Sequence, residues 1–331
     1  MTIADVAKSV GLSTCTVSRV LNESFDGFKY SPQTIEAVKR AAKEMGYRAN
    51  PAARGLRTKK SYLIGLILPT AQSPFFGGIT DGLEMELRAR GYQLLAAHSR
   101  DEEESEEELV RAFLARGVDG LLWVPVREKI DRKALGISPE FPMVILDRPD
   151  CDESSPLVAT DNLGASRTLA LKLQETGHEK VLVFNAPFQD RSMTERAQGL
   201  AEVFGGNLWI RNMPNDPRAA REAISELLSW KDRPSALVVL SELLAIGALS
   251  GLRDCGLAIP RDISFASFDD FLLASHWSPR ITAIRQDIDA LTHSAIQLLM
   301  EKIKSPDKSC QMEIRVPANL EWRESVGVPH P

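Results

Sequence analysis

Apolar positions follow two rhythms along the chain, and the change comes near residue 60. Over the first 46 residues the spacing is helical. Ile3, Val6, Ala7 and Val10 share one face of a helix that Gly11 ends as a left-handed cap. Ser13 is placed to cap a second helix from Thr14 to Leu21, with Val17, Val20 and Leu21 as its inner face. A polar loop covers 22–30. Ser31-Pro32 then opens a third helix with proline in its first turn, striped by Ile35, Val38, Ala42 and Met45 and ended by Gly46.

Beyond residue 61 short β-rich runs (62–68, 92–97, 120–124, 143–146, 157–160, 180–185, 236–240, 263–268) alternate with helix-length segments (77–90, 103–116, 163–176, 191–204, 218–229, 243–254). Apolar strands alternating with helices predict βαβ units and parallel sheets. About ten strands are too many for one compact sheet of this kind, so two lobes are expected, with a break near Thr160-Asp161. The fold class is therefore α/β: a small all-α head with a helix-turn-helix, and a two-lobed body with parallel sheets. The acidic run 101–108 reads as the solvated start of a helix, where carboxylates suit the dipole and Asp101 is placed as its cap.

Charge sharpens this division. Residues 1–60 hold eleven Lys/Arg and five Asp/Glu, a net of +6; residues 61–331 hold 29 and 40, a net of −11. A basic head on an acidic body points the head, and not the body, at a polyanion. The four cysteines (Cys15, Cys151, Cys255, Cys310) form no C-x-x-C pair, which suits free thiols in a reduced cytoplasm. No apolar run reaches membrane-spanning length and no export signal opens the chain, so no membrane partner is expected.

Two short helices joined by Gly11-Leu12-Ser13 have the form of a helix-turn-helix. With the valines turned inward, Ser13, Thr14, Cys15, Thr16, Ser18 and Arg19 face outward, the positions from which a recognition helix meets base edges and phosphates. Arginine forks onto guanine, and the hydroxyls suit phosphates.

The run from Thr2 to Ala7, the run from Ser13 to Asn22 (Ser-Thr-Cys-Thr-Val-Ser-Arg-Val-Leu-Asn) and the run from Gly46 to Leu56 (Gly-Tyr-Arg-Ala-Asn-Pro-Ala-Ala-Arg-Gly-Leu) resemble the lactose/galactose-repressor family of bacterial transcription regulators. The resemblance continues in order through Ile64-Gly65, Ser73-Pro74-Phe75-Phe76, Val118-Asp119-Gly120, Leu146-Asp147-Arg148, Thr160-Asp161-Asn162, Gly177-His178 and Ser267-Phe268-Asp269-Asp270. It implies a DNA-binding domain over 1–46, a hinge helix over 47–60 and an effector-binding, dimerising body over 61–331. Lobe one would take about 61–160 and 285–316, and lobe two about 161–284 and 317–331. It also implies base reading by Thr14, Cys15 and Arg19, with Thr2, Asn22, Asn50 and Ala53 on the DNA. Leu56 would wedge into the minor groove from a hinge that folds only on DNA. A hinge of Ala and Arg with Gly55 inside it is a marginal helix alone, which suits coupled folding.

The body implied is like that of periplasmic sugar-binding proteins, with the ligand between lobes at the carboxyl ends of strands. Phe75, Phe76, Asp147, Arg148, Asp161, Asp190, Ser192, Arg196, Ser241 and Asp269 all follow expected strands. Carboxylates and guanidinium forks for hydroxyls, with aromatic faces for C–H surfaces, suit a sugar. Asp161 is equally placed to cap the helix from Leu163. A near balance of Asp147, Asp190 and Asp269 against Arg148 and Arg196 favours a neutral polyol over an anion. Three features depart from the family pattern. The loop 22–30 is longer and carries Phe28, placed either to plug the small head core, the favoured reading, or to let the loop reach the DNA backbone. Ser241-Glu242 stands where Asn-Asp is usual. The stretch after Phe204 is short, leaving Trp209, Met213 or Trp277 as candidates to stack on the ligand.

The sequence holds no catalytic constellation, P-loop, G-x-G-x-x-G fingerprint or H-E-x-x-H, so neither an enzyme nor a resident metal or cofactor is expected. The expected protein is a homodimeric repressor on a pseudo-palindromic operator of double-stranded DNA, controlled by a small molecule of the carbohydrate class. A corepressor-dependent or activating regulator would share this architecture. A transport receptor would need an export signal and no basic head.

Overall fold

The computed structural model describes residues 1–21, 28–47, 60–127, 129–148, 152, 154–186, 191–227, 230, 233–305 and 311–329. The chain divides into two compact units, Met1–Tyr62 and Leu63–Pro331.

The first unit holds α1 (Ile3–Val10), α2 (Thr14–Leu21) and α3 (Pro32–Glu44). Each helix begins where a side chain meets an orphan amide. The Thr2 hydroxyl accepts from Asp5 N while the Asp5 carboxylate takes Thr2 N, a reciprocal capping box. Ser13 Oγ accepts from Thr16 N at 3.0 Å, and Ser31 Oγ from Thr34 N at 3.1 Å. Gly11 turns the chain at φ +66°, a conformation that costs glycine little. Val6, Ala7, Val17, Val20, Val38 and Ala42 are buried together as its core. Phe28 is not part of that core. It is 52% exposed, contrary to the expected plug, because the inward-facing valines and alanines already fill the space.

The second unit contains two six-stranded sheets. The first has the order β11-β5-β4-β3-β1-β2, with β1 (Leu63–Leu68), β2 (Gln93–His98), β3 (Gly120–Trp123), β4 (Met143–Leu146), β5 (Leu157–Thr160) and β11 (Glu313–Val316). It is flanked by α4 (Pro74–Ala89), α5 (Glu103–Ala115) and α10 (Ile288–Lys304). The second has the order β12-β10-β9-β8-β6-β7, with β6 (Val181–Asn185), β7 (Leu208–Asn212), β8 (Ala236–Val239), β9 (Ser264–Phe268), β10 (Thr282–Arg285) and β12 (Asn319–Glu321). Around it lie α6 (Asn162–Glu175), α7 (Arg191–Phe204), α8 (Pro217–Leu227) and α9 (Glu242–Asp254). Strand pairs are parallel except β10–β12. The chain passes between sheets after β5, after β10 and after β11.

The expected runs form β1 to β6, β8 and β9, buried along their length except β2 at the sheet edge, whereas β10, β11 and β12 are not among the expected runs. Nor is edge strand β7, because Leu-Trp-Ile-Arg-Asn is half exposed and follows a short 3-10 turn rather than a clear break. The acidic run also differs from expectation. Glu102 rather than Asp101 is the N-cap of α5, and Glu106 is fully buried, accepting from Trp123 Nε1, Val126 N and Arg127 Nε at 2.7–2.8 Å. Three donors offset the desolvation of that carboxylate. No helix among the described residues is long and apolar enough to cross a membrane.

Candidate DNA interface and effector cavity

On the first unit Ser13, just before the second helix, and Thr14 and Cys15 on it are exposed, with Thr16, Ser18 and Arg19 half-buried. The hydroxyls differ in what else they do. Thr2 and Ser13 are engaged as helix caps, and Ser13 Oγ also lies 2.9 Å from Thr16 Oγ1, whereas Thr14 and Cys15 stand on the open face. The Arg19 guanidinium lies 4.0 Å over the Phe28 ring, a cation–π contact that limits its rotamers while leaving it half-buried. Asn22, Asn50, Ala53 and Leu56 lie outside the described residues.

On the second unit a cavity of about 390 Å³ opens where the carboxyl ends of both sheets converge. That lies within the size range of about 300–1,000 Å³ usual for small-molecule sites. Phe75 and Phe76, on the first turn of α4, give it an aromatic wall, with ring centroids 5.3 Å apart. Asp147 and Arg148 enter from the end of β4, and Asp269 from the end of β9. Asp147 and Asp269 both adopt positive φ, +62° and +79°. Aspartate tolerates this region better than most residues, and such strain is held where the surroundings fix it. Ser192 and Arg196 come from α7, and Ser241 from the N-cap of α9.

Hydrogen bonds fix these groups. Arg148 donates to Pro125 O at 3.1 Å and to Asp101 Oδ1 at 3.4 Å. Arg196 is 4% exposed and donates to Asn162 Oδ1 (2.8 Å) and Leu240 O (3.0 Å). Its guanidinium is stacked 3.8 Å over Phe268, with Asp269 Oδ2 at 3.7 Å. Gln286 donates to Asp269 Oδ1 at 2.6 Å and accepts from Thr160 Oγ1 at 2.5 Å, tying two of the inter-sheet crossings together. Ser192 Oγ donates across the cavity to Asp147 O at 2.5 Å, and Arg315 on β11 pairs with Glu195 on α7 at 2.8 Å.

Asp161 is not brought into the cavity lining. It caps α6, its Oδ1 accepting from Gly164 N at 2.9 Å, the alternative its position before Leu163 allowed. Asp190 lies outside the described residues. None of the three candidate stacking residues lines the cavity either. Trp209 packs edge-on against Trp230, Met213 is buried in the second sheet's core, and Trp277 packs against that same core. Phe75 and Phe76 are the aromatic surfaces there.

Sequence reasoning missed Asp101, Asn215, Glu242 and Gln286, which also line the cavity. Asn215 Oδ1 accepts from Ser241 Oγ at 2.6 Å. Asp101 was hidden in an acidic run, and its φ of +58° is a local signal that composition does not carry. Glu242 comes three residues after the end of β8, next to Ser241, which the strand-end rule found. Burial, and then the nearby Asp269, push its carboxyl up to about 7.

Residues 2–50 match the family described as bacterial regulatory proteins, lacI family, and residues 170–326 match a periplasmic binding protein-like domain. A transcriptional repressor named PurR from Vibrio vulnificus (strain CMCP6) is 30% identical over 320 residues, spanning 92% of this chain and 93% of that protein. The chain belongs to the LacI family. A second relative, the HTH-type transcriptional regulator KdgR of Bacillus subtilis (strain 168), is 30% identical over 98% of this chain and 97% of its own length. Among solved structures, the lac repressor dimer bound to operator and the anti-inducer ONPF superposes with a TM-score of 0.84 over 99% of both chains, at 23% identity. The regulator CelR in complex with cellobiose is 27% identical, with a TM-score of 0.69 over 98% of this chain and 99% of that one. The expected fold, a helix-turn-helix head with a two-lobed α/β body, is the LacI-family fold, and the relatives compared are DNA-binding transcription regulators.

Proposed function

We propose that the chain is a cytoplasmic, homodimeric transcription repressor whose affinity for a pseudo-palindromic operator is set by a carbohydrate-class molecule in the cavity. The observation that carries this reading is the pairing, in one chain, of a capped helix-turn-helix with an exposed polar second helix and a polar cavity at converging strand ends. The cellobiose complex of a regulator with this fold supports the ligand class.

In this reading 1–46 binds DNA, 47–60 is the hinge, and 61–331 senses the ligand and dimerises. Thr14, Cys15, Ser18 and Arg19 read the major groove; Thr2, Ser13, Thr16, Asn22, Asn50 and Ala53 position the head and hinge; Leu56 wedges the minor groove. Phe75, Phe76, Asp147, Arg148, Ser192, Arg196, Ser241 and Asp269 bind the effector. Ligand in the cavity changes the bridge that already joins its walls, Ser192 to Asp147, and with it the Arg315–Glu195 pair that also links β11 to α7, and so biases one lobe arrangement over another.

Selection of bound duplexes from a random library by the full chain tests the DNA side. Enrichment of a two-fold symmetric sequence supports a dimeric sequence reader. Retention without enrichment removes that claim.

A further inference from the structure

The cavity's charges do not balance. Among the described residues four carboxylates line it (Asp101, Asp147, Glu242 and Asp269) against two guanidiniums, Arg148 and Arg196. Both guanidiniums already face a carboxylate: Arg148 has Asp101 at 3.4 Å and Arg196 has Asp269 at 3.7 Å. The surplus is therefore negative.

Part of that surplus is concentrated at one edge. β8 and β9 pair in register, Val239 opposite Ser267, so the residues just past their ends leave the sheet side by side. Asp269 is the first residue past β9, and Glu242, three residues past β8, opens α9; both line the cavity and also the smaller adjoining pocket that Pro74, Asp270 and Arg285 border. Asp269 is held by Gln286 and faces Arg196. Burial and Asp269 act on the Glu242 carboxyl, and the guanidiniums that share its two pockets each face another carboxylate: Arg148 faces Asp101, Arg196 faces Asp269, and Arg285 pairs with Glu321 at 2.8 Å. Phe75 lines both pockets as well.

We propose that the effector is a hydroxylated amine of sugar size, an amino sugar or amino-polyol, whose ammonium group seats on Glu242 beside Asp269. This rests on the reading of the cavity as the effector site and narrows its ligand class. An ammonium supplies the missing positive charge and donors to carboxylates that otherwise repel each other, and a desolvated carboxylate strengthens that pairing. Hydroxyls then take the serine and arginine positions, and the C–H face takes Phe75. The neutral polyol expected from the sequence lacked Asp101 and Glu242 in its charge count.

Isothermal titration of the full chain with matched pairs tests this: glucosamine and glucose, galactosamine and galactose, mannosamine and mannose, glucamine and sorbitol. Operator binding is followed in parallel. The inference predicts one amine favoured over its hydroxyl partner by about tenfold or more, with the ratio collapsing in Glu242→Gln. It is overturned if hydroxyl members bind as tightly as amines, and equally if the amine preference survives in Glu242→Gln. Neutral sugars that shift operator affinity leave the proposed function standing while this inference falls. If no member of the panel binds or alters operator affinity, both fall.

Discussion

The guanidinium of Arg19 rests 4.0 Å above the ring of Phe28, joining the second helix of the head to a residue of the polar loop. The side chain at the candidate base-reading position is thereby held before DNA arrives. Arg19→Ala is expected to cost operator binding about 1–3 kcal/mol and to relax discrimination at one base position. Phe28→Ala removes only the platform, so a loss of about 0.5–1 kcal/mol is expected, with sequence preference retained. Anisotropy titrations at fixed salt separate the two. An unchanged affinity in Phe28→Ala would show that the stack does not organise Arg19.

Glu242 gives a pH-dependent stability. Its carboxyl is raised from 4.5 to about 7 in the folded chain by burial and Asp269, so the folded state binds the proton more tightly than the unfolded one. The stabilising contribution of the protonated form is complete below 4.5 and is lost as pH rises through about 7. Glu242→Gln should therefore raise the melting temperature relative to the parent at about pH 8 and not at about pH 4. A difference independent of pH would contradict this assignment. Asp269, just past β9, and Arg196 from α7 line the same cavity as Glu242, and Asp270 and Arg285 line the adjoining pocket.

Gln286 holds the crossing segments to the cavity floor. Replacing it with Leu leaves the Thr160 hydroxyl and Asp269 Oδ1 without the amide that joins them, and unmet buried polar groups cost about 1–3 kcal/mol. Effector binding measured by calorimetry should weaken about tenfold, because Asp269 is no longer oriented. Equal affinity in Gln286→Leu would mean that Asp269 does not need this tie.

Gly247 tests the packing of the second sheet's outer layer. A Cβ there would lie 2.1 Å from the carbonyl oxygen of Pro217, so α8 and α9 meet at that point with no room for a methyl group. Gly247→Ala is expected to lose about 1–3 kcal/mol despite alanine's better helix propensity, read as a lower denaturation midpoint. A gain in stability would refute the close approach.

Much of this architecture was legible because the signals were local. Gly11, Ser13 and Ser31-Pro32 mark helix ends through their own backbone chemistry, and strands buried on both faces read as apolar runs. Eight of the ten effector residues expected from strand ends line the cavity, because the strand-end rule is a rule about topology. The losses are equally physical. Asp161 satisfies cap and ligand patterns alike, and only the fold shows Gly164 N taking its carboxylate. Asp101 and Gln286 depend on partners 47 and 17 residues away, which no window along the chain can reveal. Phe28 was assigned to a core that smaller residues had already filled.

The central claim is that what occupies the cavity controls what the head binds. The most direct measurement is a fluorescence-anisotropy titration of the selected operator duplex with the full chain, with and without a cavity ligand whose saturation is known from calorimetry. The account predicts that saturating ligand changes operator affinity on the order of tenfold or more while binding to unrelated duplex stays the same. An operator affinity that is identical with the cavity empty and filled would contradict it.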